Sequence, residues 1–247
     1  MKKVQYLIGI TASVAVIIIM LISSFEIAMY SDFDYYQKEY EKYDVLSDLD
    51  MEMKDVMYVT EEMMAYLRGD RENLSVVTTV EGAEQDFFNE QDRFHMWEVQ
   101  KLFVGGLNLR RGAVSLLLNC LLLMALLNEV SKNRMLTGQE RIGKIEAEKV
   151  DLKKVLSQSF QIVVAGLLVV VSVIGIAAVR DFNKVFTLFH EVFFDNDLWI
   201  FDPAKDYMIR MLPEGLFYDF VIRIGGLFIV MLLTGFVVSV IFCKKRK

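Results

Sequence analysis

Four stretches of the chain run for a helix's length without a single Asp, Glu, Lys or Arg: residues 4–25, 112–128, 155–179 and 224–243. Each falls in the roughly 17–25 residues that an α-helix needs to cross about 30 Å of hydrocarbon. Helices are demanded there, because no water in that layer can satisfy a free backbone group. The second stretch is the shortest and carries Asn119. Of the 247 residues 54% are hydrophobic, yet 24% are charged, and the charges sit between the apolar blocks. That segregation predicts an integral membrane protein with a sizeable polar portion, not a soluble domain with periodic apolar faces.

Lys2 and Lys3 ahead of the first stretch invite reading it as a secretory signal. Its apolar core is longer than the roughly 7–15 residues of a signal's hydrophobic region, and Ser23-Ser24-Phe25-Glu26 makes a poor cleavage site. The stretch therefore reads as an uncleaved anchor. Direction follows from where Lys and Arg collect. The N-terminus, the 129–154 segment with seven of them and the 244–247 tail with four are basic, whereas 26–111 and 180–223 are net acidic. The expected order is a span at 4–25, an outer segment 26–111, a span at 112–128, a cytoplasmic loop 129–154, a span at 155–179, an outer segment 180–223, a span at 224–243 and a cytoplasmic tail 244–247. Both termini face the cytoplasm of a multi-pass cell-membrane protein, and most of its non-membrane mass is extracellular.

Several chemistries drop out. A net charge of −6 makes nucleic acid a poor partner. Cys120 and Cys243 both fall inside apolar blocks, which leaves no disulfide framework and no cysteine zinc site. The chain's two histidines would need a third ligand to hold a metal, so no metal and no cofactor is expected. Asp195-Asn196-Asp197 opens like a calcium loop, but Trp199 and Ile200 stand where a ligand and a glycine are needed. There is no Gly-x-Ser-x-Gly elbow, no phosphate loop and no charge within a span to carry ions or protons.

The outer segments read as mainly helical. Ser47-Asp48-Leu49-Asp50 suggests a helix N-cap before Met51, Val56, Val59, Met63, Met64 and Leu67 at helical spacing, with Gly69 as the C-terminal stop. Residues 74–80 suggest a short strand, and 84–102 a helix that feeds the second span. On that helix Asp92, His95 and Glu98 recur three apart and share a face. This is either a solvated face with a surface histidine or a histidine whose charge a carboxylate sets. Between Phe182 and Phe201 there are seven aromatic residues, too many for a solvated connection. They form an interfacial belt or wall a lipid-binding cleft. The second histidine, His190, lies among them, and Asp202-Pro203 and Leu212-Pro213-Glu214 shape the segment with a turn and a bend.

The run Phe189-His190-Glu191-Val192-Phe193-Phe194-Asp195-Asn196-Asp197-Leu198-Trp199, followed by Asp202-Pro203, Asp206, Arg210 and Pro213-Glu214, resembles the signature of the bacterial lipoprotein intramolecular transacylases. Asp92-x-x-His95-Met96-x-x-Val99 resembles that family's other histidine motif, and Tyr66-Leu67-x-Gly69 its helical lead-in. Glu98 stands where the family would carry Asp. The resemblance spans nearly the whole chain and implies an all-α membrane protein, with four transmembrane helices and a mainly helical extracellular cap made by the two outer segments. It implies an acyltransferase that moves the sn-2 acyl chain of a diacylglyceryl lipoprotein to the α-amine of the lipoprotein's N-terminal cysteine, leaving the lyso form. The partners it implies are a diacylated lipoprotein and membrane lipid. His95 and His190 map onto the catalytic pair. Asp92, Glu98, Phe189, Glu191, Phe193, Phe194, Asn196, Asp197, Trp199 and Arg210 are the expected substrate-binding or orienting residues. The competing readings are a non-enzymatic membrane protein whose acidic outer domain binds a partner or senses a signal, and a lipid hydrolase that uses water in place of the amine.

Overall fold

A computed structural model of the protein describes residues 2–136 and 151–244. The stretch 137–150 of the basic 129–154 segment, Lys144 included, and residues 245–247 of the tail lie outside the described residues. Among the described residues, four helices are long and apolar enough to cross a membrane: α1 (Lys2–Tyr30), α5 (Glu90–Leu136), α6 (Leu152–Arg180) and α9 (Glu214–Lys244). Between them come α2 (Asp34–Lys42), α3 (Val45–Leu49), α4 (Met53–Arg68), β1 (Val77–Val80), β2 (Ala83–Asp86), α7 (Phe182–Phe193) and α8 (Tyr207–Met211). The chain divides into two compact units.

One unit comprises residues 1–23, 109–173 and 228–247, and most of its described residues are the parts of the four long helices that hold most of the charge-free sequence. Ile8, Ala12, Cys120, Met124 and Val155 form one buried cluster here, and Ile17, Val164, Phe228 and Leu232 another. Small residues let α1 and α6 approach closely: a Cβ on Gly9 would stand 2.5 Å from Ser159 Oγ. Leu122, Val169, Val173 and Val230 point outward, more than half exposed. An apolar exterior around a sparse apolar interior suits hydrocarbon as the surrounding solvent.

The other unit comprises residues 24–108 and 174–227. Its core gathers Tyr36, Tyr40, Leu49, Met64, Phe87, Phe88, Met211 and Leu216. The two buried tyrosines keep partners for their hydroxyls: Tyr40 meets Thr60 Oγ1 at 2.6 Å, and Tyr36 donates to the Met29 carbonyl at 3.1 Å. Helix α4 ends as expected at Gly69, whose φ of 85° is left-handed. Asp70 N–H reaches back to the Ala65 carbonyl and Gly69 N–H to that of Tyr66, which together make a Schellman stop.

Three sequence expectations need correction. The α4 N-cap is Glu52, not the 47–50 run; those residues close the separate short helix α3 and turn at Asp50, where φ is 46°. The expected strand is half of a hairpin: β1 pairs antiparallel with β2 in the register Val77↔Asp86 to Val80↔Ala83. Glu81 and Gly82 both have positive φ, the requirement of a two-residue type I′ turn. Hence α5 starts at Glu90 and not at residue 84. The intervening Asp86 accepts the Val76 and Phe88 N–H groups and pairs with Arg93 at 2.6 Å, which fixes the strand-to-helix junction.

Candidate active site

Helix α5 opens with a reciprocal cap. Asn89 N–H donates to Asp92 Oδ2 at 3.0 Å, and Asp92 N–H donates to Asn89 Oδ1 at 2.9 Å, so two orphan donors of the first turn are satisfied. The Asn89 side-chain amide also donates to the buried Asp206 at 2.6 Å, and Asp206 Oδ2 accepts the Asp202 N–H. The α5 start is thereby tied to the turn that Asp202-Pro203 begins. One turn further along α5 comes His95, well ahead of the charge-free stretch 112–128.

His190 comes from the last turn of α7, whose first turn is capped by Asp181 accepting the Lys184 N–H at 3.0 Å. Its Nδ1 lies 2.8 Å from the Phe186 carbonyl one turn back, which makes that nitrogen the N–H donor and leaves Nε2 as the free position. The two imidazoles are buried, 6% and 7% exposed, with ring centroids 5.9 Å apart and planes 25° from parallel. Phe194 touches both rings, at 4.9 Å from His95 and 5.4 Å from His190. Trp199 and Phe186 close over His190 at 4.8 and 4.3 Å, and Phe201 stands edge-on to His95 at 5.4 Å.

An aromatic enclosure of this kind favours uncharged imidazole. Burial, then the neighbouring His190, pushes His95 down to about 4. Burial also lowers His190, opposed by its bond to the Phe186 carbonyl. Asp92 is fully buried; burial holds its carboxyl up to about 7, with the charge of Asp206 adding to the effect and the Asn89 N–H opposing it.

Two segments far apart in sequence are stitched together around the pair. Asn196 Nδ2 donates to Glu98 Oε1 at 2.9 Å, while Asn196 Oδ1 accepts the Leu198 N–H at 2.9 Å. Gln91 Nε2 donates to the carbonyls of Leu198 and Ile200, both at 3.0 Å. Of the expected site residues, the structure brings Asp92, Glu98, Phe189, Phe194, Asn196 and Trp199 together with the two histidines. Phe189 meets the His190 ring at its edge, 5.5 Å away, and Phe193 packs on Phe189 from an exposed position. Glu191 and Asp197 are exposed. Arg210 stands apart: it pairs with Asp48 at 3.0 Å and Glu81 at 2.6 Å, donates to the Asp48 carbonyl and so clamps α8 to the hairpin turn.

Asn89, Gln91, Phe186 and Phe201 are additions to the expected set. The Asn-x-x-Asp spacing of 89–92 carried a capping signal in the sequence, whereas nothing local distinguished Gln91. Among the described residues no group of three His, Cys, Asp or Glu side chains could hold a metal ion. Cys120 and Cys243 belong to the other unit. What the arrangement offers is two neighbouring imidazoles that can take and give protons inside an apolar enclosure.

Residues 10–217 match the family model described as lipoprotein intramolecular transacylase Lit. No curated protein matches the chain. Among solved structures, the chain is similar to the in meso structure of the membrane-integral lipoprotein intramolecular transacylase Lit from Bacillus cereus. Identity is 17% and the TM-score 0.68, over 100% of this chain and 99% of that one. It is also similar to two forms of the same Bacillus cereus protein in which a histidine is replaced, by alanine or by arginine. Both give 17% identity and a TM-score of 0.65 over 99% of this chain, covering 96% and 94% of theirs. The fold and the family match define a membrane-integral, multi-pass acyltransferase. The chain belongs to the Lit family of lipoprotein intramolecular transacylases.

Proposed function

We propose that the protein moves the sn-2 acyl chain of a diacylglyceryl lipoprotein to the α-amine of the same molecule's N-terminal cysteine, with His95 and His190 as the acid–base pair. The observation that carries this reading is the 5.9 Å approach of two buried imidazoles within an aromatic enclosure. The α-nitrogen attacks the ester carbonyl, so no serine or cysteine nucleophile is required. An α-amine has a pKa of about 7.7–8.0 and must lose a proton as it bonds to carbon. The glyceryl oxygen must gain one as its bond to the acyl group breaks. One imidazole accepts while the other donates. Both reacting groups belong to one flexible lipid, so holding them in register contributes several kcal/mol. Phe186, Phe194, Trp199 and Phe201 shield the pair and keep water from intercepting the ester.

In this reading the outer segments 26–111 and 180–223 form an extracellular cap, the termini lie in the cytoplasm and the substrate enters from the cell membrane. The test is mass spectrometry of a diacylated lipopeptide incubated with purified protein. The N-acyl lyso product should form with wild type and fall by orders of magnitude with His95→Ala or His190→Ala. The double variant should lose little more than either single one, because groups working as a unit are non-additive. Near-wild-type product from His190→Ala would end the two-histidine mechanism, and release of free fatty acid in place of N-acylation would mark a hydrolase.

A further inference from the structure

Two buried polar atoms on one face of α5 have no hydrogen-bond partner among the described residues. Glu98 is held through Oε1 by Asn196, and the Asn196 amide has one orientation compatible with both of its bonds. The carboxylate is therefore fixed. Its other oxygen, Oε2, is buried and meets no hydrogen-bond partner among the described residues. One turn back, His95 is more than nine-tenths buried, and its Nδ1 is likewise buried without a partner among the described residues. With His95 in the tautomer that leaves Nδ1 bare, a ligand that satisfies both must carry at least two N–H donors and, to suit a carboxylate, a positive charge. A hydroxyl has one donor and an amide no charge; a primary ammonium has three donors and the charge.

The two imidazoles are also unlike. Burial lowers His190 as well, but the carbonyl on its Nδ1–H opposes that and supports its charged form. His95 has no such support among the described residues, and burial favours its neutral, proton-accepting form.

We infer that Glu98 and His95 receive the substrate's α-amine, Glu98 Oε2 facing its positive charge and His95 Nδ1 taking its proton, while His190 Nε2 protonates the departing glyceryl oxygen. The inference rests on the transacylase reading. The bound ammonium first gives up one proton to bulk solvent; as the resulting amine bonds to the carbonyl carbon, nitrogen becomes positive again opposite Glu98 and gives one proton to His95. The bond between carbonyl carbon and glyceryl oxygen then breaks, and that oxygen takes one proton from His190. An amide and a hydroxyl result, and the extra proton has passed from His190 to His95, to be restored by exchange. Glu98 thus faces a positive nitrogen twice, in the bound ammonium and again as the nitrogen–carbon bond forms, and the second contact is the one that lowers the barrier.

The probe is an ether-linked analogue of the diacylated lipopeptide, which has no ester to move, made with a free α-amine and in a des-amino form. Binding of both is measured near pH 6.5, where the amine is charged. Wild type should prefer the amine by about tenfold or more. In Glu98→Gln, an isosteric change that keeps an oxygen for Asn196, the preference should fall close to unity. Glu98→Asp should retain part of it, and Asn196→Ala should lie between. A wild-type preference that survives in a folded Glu98→Gln protein overturns the inference, as does a wild type that binds the two probes equally. Should Glu98→Gln not fold, an unchanged preference in Asn196→Ala overturns it instead. Failure of wild type to form N-acyl product from the ester substrate is a separate result and rejects the transacylase reading itself.

Discussion

Asp92 carries two duties that pull against each other. Its Oδ2 closes the cap at the start of α5, yet complete burial holds its carboxyl up to about 7. An unfolded Asp titrates near 3.9, so between about pH 4 and pH 7 the folded protein holds more protons than the unfolded chain. Stability from this group is full below the lower value and drains as pH rises through the higher. His95 works the opposite way. Its folded value of about 4 lies below the ordinary 6.5, so its contribution is present above 6.5 and is lost as pH falls towards 4. Asp92→Asn keeps an oxygen for the Asn89 N–H and has nothing to ionise. Relative to wild type it should raise the thermal midpoint more at pH 8 than at pH 5, by at most a few kcal/mol of stability. Equal gains at the two pH values would mean that the carboxyl is not held neutral. At this scale the sequence was readable where the signal was local. The Asn89–Asp92 cap had a local signal in its spacing, which a helix start placed at residue 84 passed over, whereas the bond from Asn196 to Glu98 joins residues 98 positions apart and leaves no trace in either neighbourhood.

Elements were legible in proportion to how far one physical demand dominates them. The long helices follow from the ban on charge in hydrocarbon, and the end of α4 follows from a glycine at a left-handed position. Gly69→Ala tests the second point. A Cβ there would make only ordinary contact with Val104, at 3.6 Å, so the cost is that of placing a side chain at φ 85°. The variant should lose about 1 kcal/mol in denaturant or thermal unfolding, and Gly69→Asn less. No loss would mean the Schellman stop is not stabilising. The hairpin was only half visible because its turn is Glu81-Gly82, not the Asn-Gly or Asp-Gly pair that such turns favour. With β2 unseen, its residues were absorbed into the following helix. Helix α7 was noticed for its aromatic density, which says that a segment is buried or interfacial but not which backbone it takes.

For the molecule as a whole, the strongest sequence statement was the number of crossings, since four charge-free stretches became four long apolar helices. Direction rests on the basic residues of 129–154 and the tail. Cysteines introduced at Lys144 and at the exposed Lys54 should therefore label from opposite sides of the membrane. Labelling of both by an impermeant reagent added outside would reject the arrangement with both termini in the cytoplasm. One feature of the unit that holds the histidines reaches beyond the finished protein: it is made from two runs of chain, 24–108 and 174–227, with 65 residues of the other unit between them. A ribosome that has delivered residue 173 has delivered His95 and Glu98 but neither His190 nor Asn196. From residue 98 until residue 190 the nascent chain carries one histidine of the pair without the other, so the two imidazoles can meet only once the second run has been made.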